Sequence, residues 1–316
     1  MPSKMRLSNF WRRSSSEIVP AMTGKKQKVV VIHADDLGMS HGANAAYAEL
    51  SRLGVCSSGS VMIPCPWFPE VVAMAAADRQ LDLGVHLTLT SEMTRYKWRP
   101  LTAPPPSAGM TDSHSMFLAD VASLRASAEP QAVEAELRAQ IEAALAAGID
   151  VTHLDDHAGA VLAPEFCEIY IRLGIEFALP ILMTPSLSTY GGIHNLQGVR
   201  DHDYRRHAEL ARASGFHLFD RIVETPWQPA GPAEAIYRGL ITGIVPGYTF
   251  MALHFTMPGE IEAIDVQSSH IRTAEYQLFR TAEFRDWLDN QGLTVIGMRA
   301  LRDDLRAKLA ASPGGR

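Results

Sequence analysis

The stretch Val29–Asn44, with the sequence VVVIHADDLGMSHGAN, constrains the fold more than any other part of the chain. Its apolar run Val29–Ala34, broken only by His33, leads into two adjacent carboxylates, Asp35 and Asp36. Such a run is typical of a strand buried on both faces, as in a parallel sheet, where catalytic groups follow the strand end. A buried carboxylate is costly unless it is paired or bound to a cation. The alternative is that one aspartate caps the following helix and the other stays hydrated.

Length and composition favour an ordinary globular protein. The chain has 316 residues, of which 47% are hydrophobic and 20% charged, and an α/β barrel often reaches ~250 residues as one domain. The net charge of −6 argues against nucleic acid as a partner, and no segment approaches the ~20 apolar residues of a membrane span. Three cysteines without zinc-finger spacing (Cys56, Cys65 and Cys167) favour a reduced, cytoplasmic protein.

The sequence predicts one main domain with short extensions at both ends. Residues 1–27 contain several basic residues but no apolar segment of a signal peptide, and we expect a disordered or weakly docked extension. Residues 28–305 are expected to form a single barrel domain, and residues 306–316 a C-terminal tail.

Strand candidates recur along the chain with helical segments between most of them, which predicts βα units and a mainly parallel sheet. The eight candidates are Val29–Ala34, Val55–Ile63, Leu81–Thr90, Asp150–Leu154, Ile175–Leu179, Arg221–Glu224, Thr249–Phe255 and Leu293–Met298. The predicted helices are Ala43–Leu53, Glu70–Asp78, Pro130–Ala147 and Arg272–Asn290. About eight strands point to a barrel resembling the TIM barrel. No glycine-rich nucleotide-binding motif follows a strand, which argues against dinucleotide and P-loop functions.

In the third strand candidate, LDLGVHLTLT, leucine or valine alternates with other, mostly polar residues. His86 therefore lies on the face opposite the leucines. In a barrel that face is the interior or the strand mouth, although a histidine satisfied by a neighbouring hydroxyl is the simpler alternative. The proline-rich segment Ser91–Asp120 follows. Its residues Lys97, Trp98 and Arg99 are expected either to line a substrate cleft or to belong to an exposed surface loop.

Several strands end in potential metal ligands or proton carriers, namely Asp35, Asp36, His86, His153, Asp155, Asp156, His157 and His254. Because parallel strands of a barrel bring these ends together, the recurrence predicts a divalent metal site with open positions for catalysis. On a strand, the four-residue spacing of His153 and His157 spans ~13 Å, so a single ion could contact only one of them. His157 lies nearer the mouth and is the better candidate.

The motifs HADDLGMSHGAN, GVHLTLT and HLDDH, in this order, resemble those of the YdjC/ChbG-like (ChbG/HpnK) carbohydrate deacetylases. The resemblance extends to LHFTMPG around His254 and to the R-x-x-E-Y-x-x-F pattern from Arg272 to Phe279, and covers roughly Lys28 to Leu301. It implies a distorted (β/α) barrel that removes the N-acetyl group of an amino sugar with a divalent metal ion.

The resemblance also implies roles for individual residues. Asp36, His86 and His157 match the metal ligands, Asp35 the general base, and His254 a histidine near the site that acts as general acid. His153 is a weaker candidate for the acid. The residues expected to bind substrate or support the ligands are His153, Asp155, which would orient His153 or His157, Arg272 and Trp98.

Three departures from the family pattern leave the substrate open. Ala158-Gly159-Ala160 replaces a histidine-rich continuation, Leu253-His254-Phe255 replaces Cys-His-Pro, and His33 stands where many members have asparagine. The ion is expected to be Zn²⁺ or Mg²⁺, with Mn²⁺ and Co²⁺ as alternatives. The partner is expected to be an acetylated amino sugar, and a homodimer is compatible with the sequence. The alternative functions are hydrolysis of another amide or an ester, and non-catalytic sugar binding.

Overall fold

The computed structural model describes residues 27–192 and 196–311. Most of the predicted N-terminal extension, residues 1–26, and the end of the predicted tail, residues 312–316, lie outside the described residues. Within the described part of the chain, every helix is too short or too polar to cross a membrane.

Seven strands and eleven α-helices make up the described fold. The strands are β1 (Lys28–Leu37), β2 (Ser58–Val61), β3 (Leu83–Leu87), β4 (Val151–Asp156), β5 (Arg221–Glu224), β6 (Gly247–Leu253) and β7 (Leu293–Val295). The helices are α1 (His41–Arg52), α2 (Phe68–Ala77), α3 (Val121–Ser127), α4 (Pro130–Ala146), α5 (Cys167–Glu176), α6 (Asp201–Ala213), α7 (Ala233–Thr242), α8 (Ile261–Ile264), α9 (Ser269–Phe279), α10 (Ala282–Asp289) and α11 (Met298–Ala311).

All strand pairs are parallel, in the order β4-β3-β2-β1-β6-β5, and β7 pairs with the first half of β1. Strand β1 lies in the middle and is buried from Val29 to Leu37, as its apolar run predicted. The predicted α/β class with a mainly parallel sheet is therefore confirmed. Because the strands are parallel, their carboxyl ends lie at one edge, where the polar residues at the ends of β1, β3, β4 and β6 meet.

The two edges of the sheet approach each other through the segment 180–183 rather than through a regular eighth strand. Ile181 forms an isolated parallel bridge with Leu154 of β4. On the other side, the N–H of Phe219, just before β5, donates to the C=O of Met183 at 3.0 Å. We call the segment 180–183, with these contacts, the closing seam.

Two element predictions were wrong. Ile175–Leu179 is not a strand, because α5 continues to Glu176 and Ala178 adopts a left-handed conformation (φ +50°) that ends it. The predicted helix Arg272–Asn290 is two helices, and the Thr281 side chain caps the second by accepting from the N–H of Phe284. The sequence analysis also missed α11, which extends into the predicted tail.

Candidate metal centre and catalytic cavity

The centre of the site is an irregularity at the end of β1. The pairing of β1 with β2 shifts register between Ala34 and Leu37, and Asp36 adopts a left-handed backbone conformation with φ +63°. Neighbouring side chains of a regular strand point to opposite faces, whereas a bulge redirects one of them. Both Asp35 and Asp36 therefore line the same cavity.

Asp36, His86 and His157 come together at this point, each with one potential ligand atom within 4.8 Å of the others. The Oδ1 of Asp36 lies 3.4 Å from Nε2 of His86 and 3.3 Å from Nδ1 of His157. All three side chains are at least nine-tenths buried, although they come from three different strand ends.

Other contacts leave these three atoms available for a cation. Asp36 Oδ1 is buried and has no hydrogen-bond partner, whereas Oδ2 accepts from Nη1 of Arg272 at 2.7 Å. Burial opposes ionisation of Asp36, but the Arg272 guanidinium and the two imidazoles outweigh it and hold the pKa of this carboxyl well below its usual range. One carboxylate and two imidazoles suit Zn²⁺ and related divalent ions, so the residues present fit a metal centre.

The second nitrogen of each candidate imidazole ligand lies beside an acidic group. Nδ1 of His86 donates to the Ser60 hydroxyl oxygen at 3.0 Å, because that hydroxyl donates to Asp155 Oδ2, and it lies 3.1 Å from Asp155 Oδ1. Nε2 of His157 lies 2.8 Å from Glu92 Oε2. Burial favours the neutral imidazoles, but the carboxylates outweigh it and raise the pKa of His86 well above its usual value and that of His157 to about 9. Such partners fix the ring orientation and leave the other nitrogen for the metal.

Asp35 and His254 flank the three candidate ligands. They follow paired residues, Ala34 of β1 and Leu253 of β6, and Asp35 Oδ2 lies 3.8 Å from His254 Nε2. Burial raises the pKa of Asp35 well above its usual range and lowers that of His254 well below its own. Before reaction, His254 is therefore a neutral imidazole near neutral pH.

The far nitrogen of His254 is held by a short chain of hydrogen bonds. The Thr225 hydroxyl donates to Glu275 Oε1 at 2.6 Å and lies 2.8 Å from His254 Nδ1. Because Thr225 has only one proton to donate, its oxygen accepts the Nδ1–H of His254. The Nε2 atom, which faces Asp35, is therefore the nitrogen that can accept a proton.

These groups line a cavity of about 670 Å³ at the carboxyl edge of the sheet. Arg272 lies in its wall, where it bridges Asp36 and Asp265 and lies beneath the ring of Trp227, 5.1 Å from the ring centre. Asp156 also lines the cavity, and burial raises the pKa of its carboxyl to about 7.

Three residues proposed to support the site lie elsewhere than expected. Asp155 contacts His86 and Ser60 instead of orienting His153 or His157. His153 is fully buried beneath the cavity and does not line it, which removes it as a candidate acid. Trp98 is also buried behind the cavity wall, where its ring packs edge-on against His157 at 6.1 Å between centroids.

Sequence reasoning missed several residues that shape the site. Glu92 follows the β3 strand end by a few residues, as catalytic groups of parallel barrels do, and could have been found by that signal. Glu275 stands in the quoted R-x-x-E-Y motif but was given no role. Thr225 and Ser60 give no signal in the sequence, since their importance depends on contacts across the sheet.

The profile of a family described as YdjC-like protein matches residues 29–290. The chain belongs to the YdjC-like family. The match includes the strand ends that supply Asp36, His86 and His157, so the predicted family is confirmed.

Curated relatives carry the description carbohydrate deacetylase. The protein from Thermus thermophilus is 39% identical over 165 residues, which are 52% of this chain and 57% of the relative. The protein from Brevibacillus brevis is 33% identical over 152 residues, which are 48% of this chain and 58% of the relative. The chain thus spans little more than half the length of these relatives.

A solved structure shares the fold. It is described as a putative cellobiose-phosphate cleavage protein from Enterococcus faecalis and superposes with a TM-score of 0.70 at 18% identity, covering 87% of this chain and 99% of that one. At this identity the similarity establishes the fold alone.

Proposed function

We propose that this protein is a metal-dependent deacetylase that hydrolyses the N-acetyl group of an amino sugar or oligosaccharide. The observation that carries the proposal is the convergence of one potential ligand atom each from Asp36, His86 and His157 beside the carboxyl of Asp35, with Asp36 Oδ1 buried and without a hydrogen-bond partner. The names of the curated relatives support the same reaction and the same class of substrate.

In this proposal Asp36, His86 and His157 hold one divalent ion, either Zn²⁺ or Mg²⁺, with Mn²⁺ or Co²⁺ as alternatives. Such an ion would polarise the acyl carbonyl and lower the pKa of the attacking water. Arg272 holds the other oxygen of Asp36 and so leaves Oδ1 free to bind the ion.

Asp35 acts as the general base, and its Oδ2 takes a proton from the attacking water. His254 Nε2, 3.8 Å from that oxygen, receives the proton and delivers it to the nitrogen of the departing amine. Water thus supplies hydroxide to the acyl carbon and a proton to the amine. The amide C–N bond breaks, and acetate and a free amino sugar are released.

The test is acetate release from N-acetylglucosamine oligomers by protein loaded separately with each of the four ions. We expect turnover that disappears with a chelator and returns with the preferred ion. Turnover of esters or other amides in preference to acetylated sugars would favour a different hydrolase. Sugar binding without turnover of any of these compounds would favour a non-catalytic protein.

A further inference from the structure

Beneath the cavity, a row of polar side chains runs from Asp35 into the barrel interior. Nδ1 of His33 lies 2.6 Å from Asp35 Oδ1, and its Nε2 lies 3.0 Å from Nε2 of His153. Nδ1 of His153 lies 3.0 Å from Oγ1 of Thr152, which donates to Oδ1 of Asp82 at 2.7 Å. We call these five residues the interior row, and all of them are more than nine-tenths buried.

The surrounding fold makes room for the interior row. A Cβ atom at Gly84 would lie 2.4–2.6 Å from the imidazole atoms of His153, so only glycine allows this ring to lie over β3. On the other side, the ring of Phe250 packs against His33 at 4.7 Å between centroids. The two imidazoles are thus held between a strand backbone and an aromatic ring.

The far end of the row sets the direction of its hydrogen bonds. The Asp82 carboxylate accepts from Ser58 at 2.9 Å and from the backbone N–H of Arg299 at 2.8 Å, as well as from Thr152. Because the single hydroxyl proton of Thr152 points to Asp82, its oxygen must accept from the Nδ1–H of His153.

This direction propagates to the catalytic end of the row. A neutral His153 that donates from Nδ1 must accept at Nε2, so the proton in the link between the two imidazoles belongs to Nε2 of His33. A neutral His33 then presents a bare Nδ1 to Asp35. The row contains four links, whereas two neutral imidazoles and one hydroxyl supply only three protons. The fourth proton must lie between Asp35 Oδ1 and His33 Nδ1.

We propose that His33, His153 and Thr152 are positioning residues that hold a shared proton on Oδ1 of Asp35 and thereby reserve Oδ2 for the reacting water. As Oδ2 takes a proton from water, the shared proton moves from Oδ1 to Nδ1 of His33, so the carboxyl never carries two protons. The shared proton returns to Oδ1 when Oδ2 passes its own proton to His254. This inference rests on the proposed function for its catalytic consequence, but not for its hydrogen-bond directions.

The directions are tested by ¹⁵N NMR of the histidine side chains in the full-length, Zn²⁺-loaded protein. Wild type and Thr152→Ser should show His33 protonated at Nε2 and His153 at Nδ1. Thr152→Val keeps the side-chain shape but removes the acceptor. The two remaining links can then be filled by the two imidazoles alone, and His33 should become protonated at Nδ1 and bare at Nε2. A wild-type His33 that is bare at Nε2, or identical spectra in the Val and Ser variants, would overturn the inference.

The catalytic consequence is tested by kinetics of acetate release. His33→Phe should lower kcat by about 10- to 100-fold with KM unchanged, as loss of an orienting partner does. Thr152→Val, remote from substrate, should lower kcat by at least about twofold, Thr152→Ser should not, and Thr152→Val should add nothing in the His33→Phe background. His33→Leu, which also lacks a donor and an acceptor, serves as a second variant should the phenylalanine protein fail to fold.

The outcomes separate this inference from the proposed function. Full kcat in the His33 variants, together with lost activity in Asp35→Asn, would overturn the inference and leave the deacetylase proposal intact. Absence of acetate release by the wild type would overturn the deacetylase proposal, whereas the NMR tautomers would still decide the hydrogen-bond directions.

Discussion

Two pairs of buried histidines lie in one barrel and have opposite acid–base properties. At the carboxyl edge, His86 and His157 have pKa values above the ordinary range, that of His157 reaching about 9. In the interior, burial lowers the pKa of both His33 and His153 to about 4. Burial acts in the same direction on all four, so the neighbouring groups decide the outcome.

The difference follows from how strongly nearby carboxylates oppose burial. Asp155 and Glu92 outweigh burial at His86 and His157, whereas burial outweighs the attraction of Asp155 at His33 and His153, although His33 also contacts Asp35. His86 and His157 are therefore suited to give up a proton when a cation binds. His33 and His153 are suited to transmit hydrogen bonding while both rings stay neutral in the resting protein.

The largest effect is expected at Asp35, which contacts both regions. Asp35→Asn should lower kcat by about 10²- to 10⁴-fold, since the proposed general base is lost. Because Asp35 is not one of the proposed ligands, Zn²⁺ affinity measured by calorimetry should change little. Full activity in this variant would remove Asp35 from the role of base.

The pH dependence of stability should have opposite signs in the two regions of the metal-free protein. The folded-state pKa of His33 and of His153 is about 4 against an ordinary 6.5, so stability falls as pH drops from 6.5 towards 4, by about 3 kcal/mol for each imidazole. The raised pKa of His157 contributes stability that is complete below pH 6.5 and is lost as pH rises through about 9.

Urea unfolding across this pH range, with His153→Asn as the matched variant, measures the interior contribution. The variant should lose less stability on acidification than the wild type. Equal acid slopes in the two proteins would show that the interior pair does not carry the effect.

A smaller effect is expected when an edge carboxylate is removed. Glu92→Gln should weaken Zn²⁺ binding by about 10- to 100-fold, because His157 loses the partner that orients it. Zn²⁺ affinity should be measured above the pH at which His157 titrates, so that protons do not compete with the ion for this imidazole. Glu176→Gln, which breaks an exposed pair with Arg138, is the control and should bind zinc like the wild type.

The smallest effect is expected for an exposed histidine with a similar carboxylate contact. His41 Nδ1 lies 2.7 Å from Glu70 Oε1, but the His41 side chain is 57% exposed. His41→Gln should change the free energy of unfolding by less than ~1 kcal/mol, since solvent screens such pairs. A decrease of several kcal/mol in the free energy of unfolding would show that the distance between the two groups, and not their burial, determines how much such a pair stabilises the fold.

The sequence allowed prediction of the features that depend on local pattern. The apolar run of β1 gave a buried parallel strand, and the periodic residues of 130–147 gave α4. Because parallel strands end at one edge, the polar residues at the ends of β1, β3, β4 and β6 could be grouped before any coordinates were known. This reasoning selected the side chains that the structure brings together at Asp36.

Features that depend on contacts between distant segments could not be predicted. His33 and His153 are 120 residues apart, and neither position signals that the two rings touch. The partner of Asp155 depends on the β3–β4 register, which places it beside His86 and away from His157. The closing seam could not be predicted either, since Ile181 makes only an isolated bridge and its contacts are with distant parts of the chain.

The closing seam is the part of the sheet where we expect local unfolding to begin. A single backbone hydrogen bond among the described residues, from Phe219 to Met183, ties the seam to the side of the barrel that carries β5, whereas β1 and β6 share a seven-residue ladder. Local unfolding starts where few hydrogen bonds must break. Amide hydrogens of the seam should therefore exchange with deuterium before those of β1, and since Leu182 lines the cavity, local unfolding of the seam would change the shape of the cavity wall.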